Sequence, residues 1–208
     1  WVGAWSLCNT DLSRFPVRYD NQTFRTAVSL NLAGEAVRIR VSNRYGRESV
    51  LIGAAAASRA EVNGFPAEAP IPASPVPLHF GGMPWIRLAP GEERFSDPVP
   101  LSVKAGSWLV VDLHLPGKGR LLSGNLFPLY HRVSREGMQV GEPRFETKRF
   151  FAVRGLANRL LPVVVTTLAG VEVLTSREAM AIVAFGDSIT ALNQWTGPFS
   201  SKLGKEAK

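Results

Sequence analysis

Within the segment AVRIRVSN, residues 36–43, apolar and polar side chains alternate without a break from Val37 to Ser42. Val37, Ile39 and Val41 point one way; Arg38, Arg40 and Ser42 point the other. A period of two is the signature of a β-strand with one buried face, and it excludes a helix over the same residues. The same period recurs in SWLVVDLHL, where Leu109, Val111, Leu113 and Leu115 share a face. Between such runs stand turn-forming groups: NRYG at 43–46, the stretch NGFPAEAPIPASPVP with five prolines in fifteen residues, and the Pro/Gly-punctuated PWIRLAPGEERFSDPVPLSVKAG. A proline lacks the N–H that a central ladder needs, so the proline-rich stretch is a loop with extended character. SVLIGAAAAS adds another strand, and its small alanines at 54–57 imply close packing between layers. Many short strands with Gly/Pro turns and no long helical period predict a mainly β unit, a β-sandwich or jelly roll, over residues 1–178.

The character changes after the polar linker TSREAM. AIVAF, residues 181–185, is continuously apolar, as in a strand covered on both faces within a parallel sheet. It runs into Gly186, Asp187 and Ser188. Gly186 permits a sharp turn that a Cβ would hinder. Further on, TGPFSSKLGKEAK has the marks of a helix start: Thr196 as N-cap, Pro198 in the first turn, and Lys202, Lys205 and Lys208 toward the C-terminal end. Strand, tight turn, loop and helix form the opening of an α/β unit over residues 179–208, placing the boundary near residue 178. Ligands of open α/β sheets bind at the carboxyl ends of the strands. A serine there suits either a nucleophile with its own N–H as oxyanion donor or a phosphate-binding turn. A plain strand-ending turn, with Asp187 and Ser188 bonded to backbone, is the third reading.

The block FGDSIT, residues 185–190, resembles the first signature block of the SGNH, or GDSL, family of serine esterases. The resemblance implies a flavodoxin-like α/β/α domain of which this chain holds the first strand and helix. It assigns Ser188 as nucleophile and backbone oxyanion donor, and Asp187 and Gly186 as the rest of the turn. The family's acidic residue and glycine after the block are replaced by Ala191 and Leu192. Upstream, residues 24–58, the stretch GEERFSDPVPLSVKAGSWLVVDLHLPG and the junction TSREAMAIVAFGDSIT are similar to the N-terminal β-sandwich of some secreted SGNH esterases. The family's later Gly, Asn and Asp-x-x-His blocks would follow residue 208, so the resemblance implies a partner: the C-terminal remainder of the domain, as a second chain or a swapped protomer. The three histidines, His79, His114 and His131, all precede Ser188. Each reads as an outward strand or loop residue. The implied reaction is hydrolysis of a carboxylic ester, with an acylated carbohydrate or lipid as substrate. The alternatives are a β-sandwich module that binds carbohydrate and a purely structural domain capping an esterase partner.

Composition narrows the classes further. With 45% apolar and 20% charged residues, the chain suits a globular protein. No run approaches the ~18 apolar residues of a membrane-spanning helix. The formal net charge is +7 and the pI about 10.1. The basic residues are scattered singly through strands, as on a solvated sheet face, without the aromatic-interleaved pattern of a nucleic-acid binder. A single cysteine, Cys8, excludes an internal disulfide and reads as a buried or partly exposed structural thiol. No Cys/His cluster has metal-ligand spacing, and no metal or other cofactor is expected. The start at Trp1 and the sandwich resemblance favour a secreted or periplasmic protein. Of the five tryptophans, Trp1, Trp5, Trp85 and Trp108 are expected in strand packing, while Trp195 follows the serine turn and is the candidate for packing on the first helix or lining a substrate site.

Overall fold

The computed structural model describes residues 1–60, 72–127, 130–146 and 163–176, together with residues 178, 179, 182, 184, 186, 187, 190, 195, 196, 198, 199 and 202. The molecule is mainly β, with several sheets. The strands are β1 (Val2–Ser6), β2 (Thr10–Asp11), β3 (Val17–Ser29), β4 (Ala36–Ser42), β5 (Val50–Ile52), β6 (Ala54–Ala60) and β7 (Val76–Pro77), followed by β8 (Ile86–Leu88), β9 (Glu93–Phe95), β10 (Trp108–Leu121), β11 (Ser123–Phe127), β12 (Tyr130–Val133), β13 (Val163–Thr166) and β14 (Leu168–Leu174). They form a four-stranded sheet in the order β1-β14-β4-β9, a five-stranded sheet β12-β3-β10-β6-β7, a three-stranded sheet β13-β11-β2 and the pair β5-β8. All the pairings are antiparallel.

The predicted alternation sets the core. Val37, Ile39 and Val41 of β4 and Val171 and Val173 of β14 are fully buried, and they join Phe24 and Val28 of β3 and Leu109, Val111, Leu113 and Leu115 of β10 in one cluster. Facing sides of the two larger sheets thus share a core, an arrangement consistent with a β-sandwich. The predicted run 49–58 divides at Gly53 into β5 and β6; a Cβ there would lie 3.0 Å from the Pro116 ring. Ala55, Ala56 and Ala57 are buried, as their size suggests. Pro77 sits on β7, the edge strand of its sheet, where a missing N–H is tolerated. Residues 63–71 of the proline-rich loop lie outside the described residues.

The second face of the five-stranded sheet overturns one expectation. Scattered arginines were expected on solvated surface, yet Arg25 is fully buried and is among the largest buried side chains. In the register, Arg25 stands opposite Asp112, and Asp112 opposite Ala56. Arg25 Nε donates to Asp112 Oδ1 and Nη2 to Oδ2, both at 2.7 Å. The segment after β12 lies against the same residues. Gly141 N–H donates to Asp112 Oδ2 at 2.7 Å, Arg25 Nη2 donates to the Glu142 carbonyl at 2.9 Å, and the Phe145 ring lies 4.5 Å from the guanidinium. Gln139 N–H and the Gly137 carbonyl both engage Thr23 Oγ1. A sheet face covered in this way needs its polar groups paired, because a buried unpaired charge is costly.

The end of the chain differs from the expected strand. Ile182 and Ala184, the described residues of 181–185, are exposed and not in a strand. Among the described residues no strand pairs with them, and a strand apolar on both faces needs such neighbours. Thr190, Thr196, Pro198, Phe199 and Lys202 are helical, the only helical positions among the described residues, and Phe199 N–H donates to the Trp195 carbonyl at 3.0 Å. Thr196 lies inside the helical stretch instead of capping it, and its hydroxyl reaches the Thr190 carbonyl at 3.5 Å. Among the described residues no helix is long and apolar enough to cross a membrane.

Removing one partner of the buried pair is expected to cost far more than removing both. Asp112→Asn should lower unfolding free energy by about 3–5 kcal/mol, and Arg25→Met with Asp112→Leu should recover most of that loss. Urea denaturation of the single and double variants measures the difference; equal losses would show that the charge pairing is unimportant.

Candidate functional site

The described part of the Gly-Asp-Ser turn is small. Gly186 and Asp187 are exposed, with Asp187 in a bend. A Cβ built on Gly186 would collide with the Thr190 hydroxyl, so a larger residue at 186 would require the Thr190 side chain to shift. Ser188, the expected nucleophile, lies outside the described residues, as do Ala191 and Leu192. Trp195 is about half exposed, and its ring packs on Phe199 with centroids 6.3 Å apart and planes tilted by 53°. Phe199 is itself exposed, so this aromatic pair forms an apolar edge beside the turn and is not inserted in a core.

One histidine behaves differently from expectation. His114 lies on the same sheet face as Asp112, two residues along β10, and is buried instead of outward and solvated. Asn21 and Gly53 lie beside its ring; a Cβ at Gly53 would be 3.5 Å from Nδ1. Its Nε2 is 3.0 Å from Asn21 Oδ1. Asn21 has φ +45°, at an irregularity where β3 and β10 shift register, and its backbone carbonyl also accepts from Gly137 N–H. An Asp and a His on one strand face suggest a catalytic dyad, but the Asp112 carboxylate is committed to Arg25 and Gly141. Burial pushes the His114 imidazole below its ordinary value of 6.5, which holds the ring neutral. His79 is half-buried, and its carbonyl accepts from Asp97 N–H. The Asp97 carboxylate takes the N–H groups of Gly81 and Gly82 at 2.9 and 2.7 Å; these bonds, Gly82's foremost, hold it below its ordinary value. The His131 side chain lies outside what is described; its backbone pairs with Thr26.

Two of the tryptophans also depart from expectation. Trp5 and Trp108 pack against the core, as predicted. Trp1 and Trp85 are 40% and 45% exposed. Trp1 meets Arg38, whose guanidinium lies 4.7 Å from its ring and 4.4 Å from that of Phe95. Cys8 is exposed, not buried. Among the described residues, no group of three or more His, Cys, Asp or Glu could hold a metal ion. No protein-family model matches the chain, and no curated protein matches it significantly.

The neutral, buried His114 has a pH consequence. Protonation is opposed in the folded protein and free in the unfolded chain. Stability is therefore full well above 6.5 and declines as pH falls through that value. Thermal unfolding between pH 7.5 and 5 should show this decline, and His114→Gln should flatten it. Asp97 titrates below this window and does not confuse the reading. An unchanged slope in the variant would rule out His114 as its source.

Proposed function

We propose that this chain supplies the nucleophile of an SGNH-type carboxylic ester hydrolase. In this reading a β domain over residues 1–178 precedes the opening segment of the α/β domain, residues 179–208, in which 181–185 would join the sheet only once the rest of that domain supplies its neighbours. The observation that carries the reading is the block Phe185-Gly186-Asp187-Ser188-Ile189-Thr190. The close approach of Thr190 to Gly186 and the exposed Trp195–Phe199 pair support a tight turn with an apolar flank suited to the acyl or alcohol part of an ester. Ser188 Oγ attacks the ester carbonyl while a histidine takes its proton. The Ser188 N–H donates to the developing oxyanion, collapse expels the alcohol with that proton, and water then releases the acid from the acyl-serine. His114 does not serve as base, because it is buried and held by Asn21. The base and its orienting acid belong to the family's Asp-x-x-His block, which does not occur in residues 1–208. In this reading they belong to the remainder of the SGNH domain, in an exported protein acting on an acylated carbohydrate or lipid. The exposed Trp1, Trp85 and Phe95 favour a second reading, in which the β domain is a carbohydrate-binding module.

A serine hydroxyl is weakly reactive until a base lies within about 2.6–3.2 Å. The isolated chain should therefore be inert toward a short-chain nitrophenyl ester. Complemented with an SGNH C-terminal half, it should hydrolyse the ester and take a fluorophosphonate on Ser188. Ser188→Ala should abolish labelling and lower the rate by roughly 10⁴-fold or more. A folded, complemented assembly that neither labels nor turns over would sink the esterase reading.

A further inference from the structure

The outer face of the four-stranded sheet carries a cluster that the esterase reading does not use. Arg38 and Arg40 of β4 point away from the core, and neither is fully solvated. Arg38 donates to Glu172 Oε2 from Nε at 2.8 Å and from Nη2 at 2.6 Å. Its guanidinium also lies against the rings of Trp1 and Phe95, which remain 40% and 38% exposed. In the register, Gly3 stands opposite Glu172, Glu172 opposite Arg38, Gly170 opposite Arg40, and Arg40 opposite Phe95. Two adjoining rows of this face thus contain a glycine each, and the space around a Cβ at Gly3 is open. At Gly170 the Arg40 side chain lies over the backbone, its Nε 3.6 Å from where a Cβ would be, so the face is open at Gly3 and covered by Arg40 at Gly170, with the exposed rings of Trp1 and Phe95 against Arg38.

Charge decides what fits it. Arg38 and Glu172 cancel, as do Arg94 and Glu92, paired at 2.7 Å. Glu93 lies at the end of β9, opposite Ser42. Arg40 has no carboxylate partner among the described residues; its Nη2 makes one long contact, 3.4 Å, to the Ala169 carbonyl. A surplus guanidinium beside exposed rings matches a sugar that offers a C–H face for stacking and a carboxylate for the fork of an arginine. The formal net charge of +7 adds long-range attraction for a polyanion. The rings and Arg38 are held in place before binding, which lowers the ordering entropy of association.

We propose that this face binds an acidic polysaccharide, with a hexuronate ring on Trp1 and Phe95 and its carboxylate on Arg40. The proposal is independent of the nucleophile and requires no ester chemistry.

The test is calorimetric titration of the full 208-residue chain with oligogalacturonate. Saturable binding is expected. Trp1→Ala and Arg40→Gln should each weaken it about tenfold, the effect of a stacked ring or a charged hydrogen bond worth ~1.4 kcal/mol. Arg87→Gln, which removes the same charge from the β5-β8 pair, should bind like the unaltered chain. Arg40→Gln leaves the core untouched, so it remains informative if Trp1→Ala lowers the thermal midpoint. The proposal is overturned if Arg40→Gln and Trp1→Ala bind normally, if Arg87→Gln weakens binding as much as Arg40→Gln, if a neutral glucan or polyglutamate binds as tightly, or if oligogalacturonate does not bind.

Discussion

The buried contact between Arg25 and Asp112 conditions the rest of the β domain. β10 is central in its sheet and buries both faces. One face is wholly apolar and joins the common core. The other bears Val110, Asp112 and His114, with Arg25, Thr23 and Ala27 opposite on β3. Covering such a face with protein demands a partner for each polar group, and residues 134–146 supply them through backbone: Gly141 N–H for Asp112, the Glu142 carbonyl for Arg25, and Gln139 N–H and the Gly137 carbonyl for Thr23. Among the described residues, Arg25 Nη1 is buried without a hydrogen-bond partner. A pair of this kind is weak evidence for net stability, because desolvation offsets most of the attraction. Both ions nevertheless hold the cover by its backbone, Asp112 through the Gly141 N–H and Arg25 through the Glu142 carbonyl.

His114 lies on the same sheet face and is buried too. Its imidazole, facing Asn21, is held neutral by burial, so the β domain offers no activated base at that position. The proposed nucleophile lies instead in the Gly-Asp-Ser turn, and the proposed saccharide site on the outer face of the other sheet. The two sheets thus differ in kind. The five-stranded sheet uses its polar face to hold the molecule together, whereas the four-stranded sheet leaves Trp1, Arg38, Arg40 and Phe95 toward solvent.

The apolar half of this architecture was legible in the sequence. Strict alternation at Val37–Val41 and Leu109–Leu115 identified which residues enter the core, and small residues at 54–57 announced close packing. The polar half was not. Alternation says that Arg25, Asp112 and His114 share a face opposite the core, but only tertiary contact decides whether that face meets water or protein. A signal did exist: opposite charges at Arg25 and Asp112 in two strands otherwise rich in apolar residues suit a buried pair better than a solvated surface. Trp1 and Trp85 were misjudged for a related reason, since an aromatic residue in or beside a strand has the same period whether it faces in or out. The predicted strand at 181–185 rested on apolar content alone, which cannot supply the neighbours such a strand requires. The nucleophile block remains a reading of sequence, with its tight glycine as the one supporting contact.

Amide hydrogen exchange at Gly141 tests most directly whether Arg25 and Asp112 fasten the cover to the sheet. The Gly141 N–H should be strongly protected in the native protein, close to the protection of Val111 and Leu113 on β10, and Asp112→Asn should release Gly141 while those two strand amides stay slower. Exchange of Gly141 at the rate of an unstructured peptide in the unaltered protein, with β10 protected, would contradict the account.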